Sequence, residues 1–176
     1  MSDRIYLSPP CMGGNELRYV EEVFEQNWIA PVGPHLTKFE KVFVEELEGG
    51  FACALSSGTA AIHLSLILAG IEPGDEVMCS DFTFVASCNP ILHMGAKPVL
   101  IDSDETSWNL DPNLLSDFLK RRAAENRIPK ALVLVHLYGQ PADMGPLLAH
   151  ARDAGIHVLE DAAQAFGATY DDKMVG

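Results

Sequence analysis

Apolar residues recur at helical spacing along the first fifty positions. From Asn15 to Asn27, Leu17, Val20, Val23 and Phe24 fall on one face, and Asn15 stands where an N-cap belongs. WIAPVGPH, residues 28–35, interrupts that period with two prolines and a glycine. Beyond it, Leu36, Phe39, Val42, Phe43 and Leu47 predict a second amphipathic helix that stops at Gly49 and Gly50. The sequence therefore predicts an extended start punctuated by Ser8, Pro9 and Pro10, then two helices joined by a loop with an exposed Trp28.

At residue 51 the pattern changes to short apolar runs alternating with helical stretches, which is the signature of βαβ units around a mostly parallel sheet. The runs are FACAL (51–55), EVMCS (76–80), KPVLID (97–102), ALVLVHL (131–137) and IHVLE (156–160). Helical stretches are expected near 59–69, 84–94, 112–124 and 145–154, with EPGDE, MGAKP and DAGI at the turns. FGATYDDKMVG, at 166–176, reads as a strand and a turn. The fold class is α/β, and neither an internal repeat nor a low-complexity tract is present.

Composition narrows the partners. The 176 residues, 48% of them hydrophobic, suffice for one globular core. With 25 acidic against 12 basic residues, the net charge of −13 repels polyanions, so nucleic acid is excluded as a partner. Phosphorylated small ligands stay possible, because backbone amides bind phosphate whatever the global charge. Cys11, Cys53, Cys79 and Cys88 form neither a CxxC pair nor a metal-spaced cluster, so we read them as reduced, mostly buried thiols, with no metal site. The start, MSDRIYLSPPCMGG, lacks the charge and apolar pattern of a signal peptide, and no stretch approaches the roughly 18 apolar residues of a membrane span. A cytoplasmic location and no membrane partner are expected.

Ligands of α/β sheets gather at the carboxyl ends of strands, and four such positions carry chemistry. Ser56-Ser57-Gly58-Thr59-Ala60-Ala61 is a small-residue turn opening a helix, suited either to a phosphate or simply to capping. In Asp81-Phe82-Thr83-Phe84 an aromatic ring could lie flat on a planar ligand, although core packing is the commoner fate of phenylalanine. His136-Leu137-Tyr138-Gly139 brings two polar rings to a strand end, where a satisfied structural histidine is the default. Glu160-Asp161-Ala162-Ala163-Gln164 is the most informative. A carboxylate there needs a partner, such as a protonated ring nitrogen, and the alanines leave room for a flat ligand; a metal-binding or N-capping aspartate is the other reading.

Taken in order, SSGTAA, DFTFVAS, HLYGQPADM and EDAAQAFGA resemble the DegT-type sugar aminotransferases, a branch of the fold-type-I pyridoxal 5'-phosphate (PLP) enzymes. SPPCMGGNEL and WIAPVGPHLTKFE share the resemblance, which spans essentially the whole chain. It implies a three-layer α/β/α large domain, here residues 51–176 and incomplete at the C-terminus, preceded by an N-terminal helical segment, 1–50, and without the C-terminal small domain. It further implies that Asp161 holds the pyridine nitrogen protonated and that Phe84 stacks on the ring. Gly58, Thr59 and Ala60 would receive the phosphate, and Gln164 would sit near the phenolic oxygen. The implied activity passes an amino group, commonly from glutamate, to a keto group on a nucleotide-linked deoxysugar in polysaccharide biosynthesis. LSPPCMGGNEL with NWIAPVG looks most like members acting at C4 of a UDP-4-keto-6-deoxy-N-acetylhexosamine. Such enzymes are homodimers, in which the loop from Trp28 to Gly33 could serve the neighbouring subunit or the sugar nucleotide.

The family's Schiff-base lysine follows the GATY turn, and none of Lys38, Lys41, Lys97, Lys120, Lys130 or Lys173 matches its context. The catalytic lysine is thus expected beyond Gly176, and the chain alone is expected to be inactive, with exposed sheet edge and apolar surface. Two alternatives share the fold: a pyridoxamine-phosphate-dependent sugar dehydratase with histidine at the lysine position, or a non-catalytic truncated gene product.

Overall fold

The structure, a computed structural model, describes residues 4, 5 and 10–176, so Ser8 and Pro9 of the extended start lie outside the described residues. The chain forms two compact units, Met1–Ala54 and Leu55–Gly176.

The first unit holds α1 (Glu16–Glu25) and α2 (Pro34–Glu46), neither of which contains a fully buried residue. Asn15 makes no side-chain cap. The Glu16 carboxylate accepts the N–H groups of Gly13 and Gly14 at 2.6 and 2.8 Å, which ties the incoming chain to the start of the helix. These bonds hold the Glu16 carboxyl below its usual range. Pro34 opens α2, where its missing N–H costs nothing. Trp28 is exposed, as expected. Tyr19, Val20, Phe24, His35 and Phe39 help line an apolar groove of about 500 Å³ within this unit.

FACAL is not a strand. Residues 51–55 join no ladder, Phe51 is fully exposed, and the Ala54 N–H donates to Glu40 Oε1 at 2.9 Å. Its residue types suit a strand, but extended backbone becomes sheet only when a partner answers its N–H and C=O groups, and none does so among the described residues.

The second unit is built on four parallel strands, β1 (Glu76–Ser80), β2 (Lys97–Ile101), β3 (Ala131–Val135) and β4 (His157–Asp161), in the order β2-β1-β3-β4. Around them run α3 (Gly58–Leu68), α4 (Asn89–His93), α5 (Pro112–Ala124) and α6 (Met144–Ala154). Alternation along each strand sorts side chains to two faces. Val77, Cys79, Ala131 and Val133 pack with Ile62 and Leu66 of α3 and Ile91 of α4. Met78, Ile101, Leu132 and Leu134 pack on the other face with Leu115 and Leu119 of α5 and Leu147 of α6. The result is three layers, α/β/α. All five residues of β3 are buried, each Val and Leu side chain contributing about 1.5–3 kcal/mol.

Local chemistry sets the boundaries. The expected helix over 84–94 is split into a 3₁₀ turn, Val85–Ser87, and the short α4, with Pro90 at its N-terminus. Gly155 caps α6 in the left-handed conformation at φ 69°, which glycine adopts without a Cβ penalty. The tail forms a hairpin, β5 (Thr169–Tyr170) with β6 (Lys173–Met174), where a strand and turn alone were expected. Asp171 and Asp172 at its tip have φ of 49° and 61°, the sign a tight two-residue hairpin turn requires. The cysteines are all free, but Cys11 and Cys53 are exposed, correcting the expectation that most are buried. Cys79 is buried, which pushes its thiol up to about 12. Among the described residues no helix is long and apolar enough to cross a membrane, and no group of side chains is arranged to hold a metal.

Candidate functional site

The strand order changes direction between β1 and β3, and ligands of doubly wound sheets bind at the carboxyl end of such a switch point. A cavity of about 90 Å³ lies there, lined among others by Gly58, Thr83, Phe84, Ser87, His136, Asp161 and Gln164. Of the six residues singled out from the sequence, it therefore brings four together: Gly58, Phe84, Asp161 and Gln164. Thr59 and Ala60 do not line it. They stand in the first turn of α3, where the Ala60 N–H is held by Ser57 Oγ at 3.2 Å, so Ser57 is the cap.

Asp161 is the last residue of β4 and is partly buried. Both carboxylate oxygens are engaged: Oδ1 accepts the Ala163 N–H at 3.1 Å, and Oδ2 accepts the Ser87 hydroxyl at 2.6 Å. Both donors are neutral, so the carboxylate is oriented without its charge being matched. Ser87 is buried at 1% exposure, and its oxygen lies 2.9 Å from the Thr83 hydroxyl. The turn that carries Ser87 also carries Phe84, a residue that is 70% exposed.

His136 is fully buried and doubly satisfied. Its Nδ1 accepts the Ala142 N–H at 3.0 Å, which leaves the ring proton on Nε2, 3.3 Å from Glu160 Oε2. That bond, and the Gly176 N–H at 2.9 Å, hold the Glu160 carboxyl below its usual range against partial burial. The structural reading of His136 is the correct one for its contacts, although its ring also walls the cavity.

Gln164 Oε1 accepts the Tyr138 N–H at 2.9 Å. Tyr138 has φ 51°, a left-handed backbone that costs a bulky residue about 1–2 kcal/mol, and this bond helps hold it there. Beside the cavity, Phe82 lies 5.5 Å from Trp108 and 6.2 Å from Tyr138 between ring centroids, lining an open cleft of about 270 Å³. Ser87 and Trp108 were missed by sequence reasoning. The only signal for Ser87 is its spacing of four from Thr83 within DFTFVAS. Trp108 follows a polar turn and carries no pattern of its own.

These features fit a flat, phosphorylated pyridine ring. A Cβ at Gly58 would meet no atom within 4 Å, so open space borders the helix N-terminus on the cavity side. The cavity has room for about three waters, enough to receive the edge of a ring, while Phe84 stands free for its face.

Comparison with known proteins shows the family. The pattern of the DegT/DnrJ/EryC1/StrS aminotransferase family matches residues 10–176. GDP-perosamine synthase from Caulobacter vibrioides is 43% identical over 178 residues, covering 100% of this chain and 46% of that protein. EpsN of Bacillus subtilis, whose name places it among the pyridoxal phosphate-dependent aminotransferases, is 45% identical over all of this chain and 45% of its own length. Among solved structures, DesV of S. venezuelae in complex with a ketimine intermediate superposes with a TM-score of 0.80 at 37% identity, covering 92% of this chain and 43% of that one. The chain thus spans about half the length of the curated relatives it matches. With three strand-end motifs and the N-terminus of α3 meeting at one switch point, in a chain matched over residues 10–176, the protein belongs to the DegT/DnrJ/EryC1/StrS aminotransferase family.

Proposed function

We propose that the protein transfers an amino group from an amino acid, glutamate in our reading, to the keto group of a nucleotide-linked deoxysugar, with PLP as cofactor. The observation that carries the reading is the Asp161 carboxylate, oriented at the cavity by two neutral donors and free to meet a cationic ring nitrogen. Family membership and a relative named as a GDP-perosamine synthase support the sugar substrate. PLP, when bound, supplies an electron sink for the carbon that loses a proton. The chain's own part is to prepare that sink. Asp161 holds a proton on the ring nitrogen, Phe84 covers one face of the ring and excludes water from it, and Gln164 offers its amide near the phenolic oxygen. Gly58 and Thr59 present the helix N-terminus to the phosphate, while Ala60 supports it from within the turn that Ser57 caps.

In this reading residues 51–176 belong to the cofactor-binding large domain and residues 1–50 form a helical segment before it. The division into two compact units supports that arrangement. The finer assignments are a UDP-4-keto-6-deoxy-N-acetylhexosamine aminated at C4, a homodimer and a cytoplasmic location; the wording of the N-terminal motifs supports the substrate. The test is amination of that sugar nucleotide with glutamate, read by mass spectrometry of the product, for the full-length protein and its Asp161→Asn variant. We expect a loss of at least ~100-fold in the variant, the scale on which a preorganised charge contact acts. Undiminished turnover in Asp161→Asn would refute the assignment.

A further inference from the structure

We infer that Ser87, backed by Thr83, is the positioning residue for Asp161: it fixes the orientation of the carboxylate and aims it at the cofactor's ring nitrogen. The inference rests on the proposed cofactor role of Asp161. Its own support is geometric. The Ser87 hydroxyl reaches Asp161 Oδ2 at 2.6 Å across 74 residues of sequence. It does so from the turn after β1 to the end of β4, two strands that are not neighbours, because β3 lies between them.

The direction of the relay follows from the groups themselves. An ionised carboxylate only accepts, so Ser87 must donate its single proton to Asp161. Its oxygen is then left to accept from Thr83 Oγ1, 2.9 Å away, and that second bond fixes the hydroxyl rotor. Burial of Ser87 at 1% exposure keeps water from substituting for it. Titratable groups around Asp161 and its neighbour Cys79 of β1 include Asp81 and Cys88, with His136 after β3 and neighbouring Glu160. The thiols of Cys79 and Cys88 are kept neutral by burial, and His136 and Glu160 are bonded to each other. Ser87 is therefore the side chain that orients the carboxylate. Because Ser87 and Phe84 share one 3₁₀ turn, with the Ser87 N–H donating to the Phe84 carbonyl at 3.0 Å, that turn sets both the ring's stacking face and the partner of its nitrogen.

The test uses pyridoxamine 5'-phosphate labelled with ¹⁵N in the ring, which needs no covalent link to the protein. Its dissociation constant, and the pH at which the bound ring nitrogen titrates, are measured for the parent protein, Ser87→Ala, Ser87→Thr and Asp161→Asn. Ser87→Ala is expected to weaken binding by about tenfold and lower the nitrogen's titration midpoint by about one pH unit, the scale of one hydrogen bond to a charged group. Ser87→Thr, which keeps the hydroxyl, restores both, and Asp161→Asn abolishes protonation of the bound ring near neutral pH. If Asp161→Asn shifts the nitrogen but Ser87→Ala titrates like the parent, the cofactor reading stands and the role of Ser87 is overturned. If neither variant shifts it, or the cofactor does not bind, the reading of Asp161 falls and takes this inference with it. A crystal structure of Ser87→Ala adds an independent check, since a carboxylate left in its parent orientation overturns the positioning role without reference to any ligand.

Discussion

Replacing His136 with leucine isolates what the buried imidazole does for the strand ends. Leucine matches the ring in volume closely enough that the cavity contribution stays small. Two hydrogen bonds are lost. The Ala142 N–H, on a residue with 0% exposure, loses its acceptor, which costs about 1–3 kcal/mol. Glu160 loses its imidazole donor, but its side chain is 29% exposed and water takes up part of that bond, leaving a cost of about 1 kcal/mol. The sum is about 3 kcal/mol. With a urea slope of about 2 kcal/mol per molar, the unfolding midpoint should fall by about 1.5 M when followed by far-UV circular dichroism. Acid dependence supplies a second arm. The Glu160 carboxyl is held below its ordinary value of 4.5, first by the bond to His136. A depressed folded value means that this stability is fully present above the unfolded value and is lost as pH falls through the folded one. The parent protein should therefore lose stability below about pH 4.5, and His136→Leu should show a flatter acid limb. A midpoint within ~0.3 M of the parent at pH 7 would refute the reasoning, because a buried N–H cannot lose its only acceptor that cheaply.

Two further outcomes are expected. Ser57→Ala should destabilise the second unit by about 1 kcal/mol in the same urea assay, while Ser57→Asp, which keeps an acceptor for the Ala60 N–H, should not. Iodoacetamide at pH 8 should label Cys11 and Cys53 quickly and leave Cys79 unmodified in the folded protein, as read by peptide mass spectrometry, because burial pushes the Cys79 thiol up to about 12.

The four sheet strands were legible because each is a short segment with apolar residues, set off from the helices by turns, and each has a neighbouring strand to pair with. FACAL has similar residues and failed, since pairing is a property of two segments and composition describes one. Asn15 failed as a cap for a different reason. An N-cap side chain reaches the first-turn N–H groups from extended backbone, and Asn15 is already in a helical conformation at φ −102° and ψ −11°. At the site, Gly58, Phe84, Asp161 and Gln164 could be picked out because each follows a strand or opens a helix. The partners of Asp161 and Gln164 could not. Ser87 meets Asp161 across an intervening strand, and Tyr138 meets Gln164 through a backbone conformation that no sequence pattern announces.

Among the described residues β4, like β2, is hydrogen-bonded on one side only, so the carboxylate proposed to govern the cofactor stands on an edge strand that should open more easily than β3. The Ser87–Asp161 bond then acts as a clasp, pinning the tip of that strand to the turn after β1. Amide exchange along His157–Asp161 becomes a direct gauge of the site: it should run faster than in β3 and slow as ligand engages Asp161, with protection growing as the logarithm of ligand concentration over its dissociation constant.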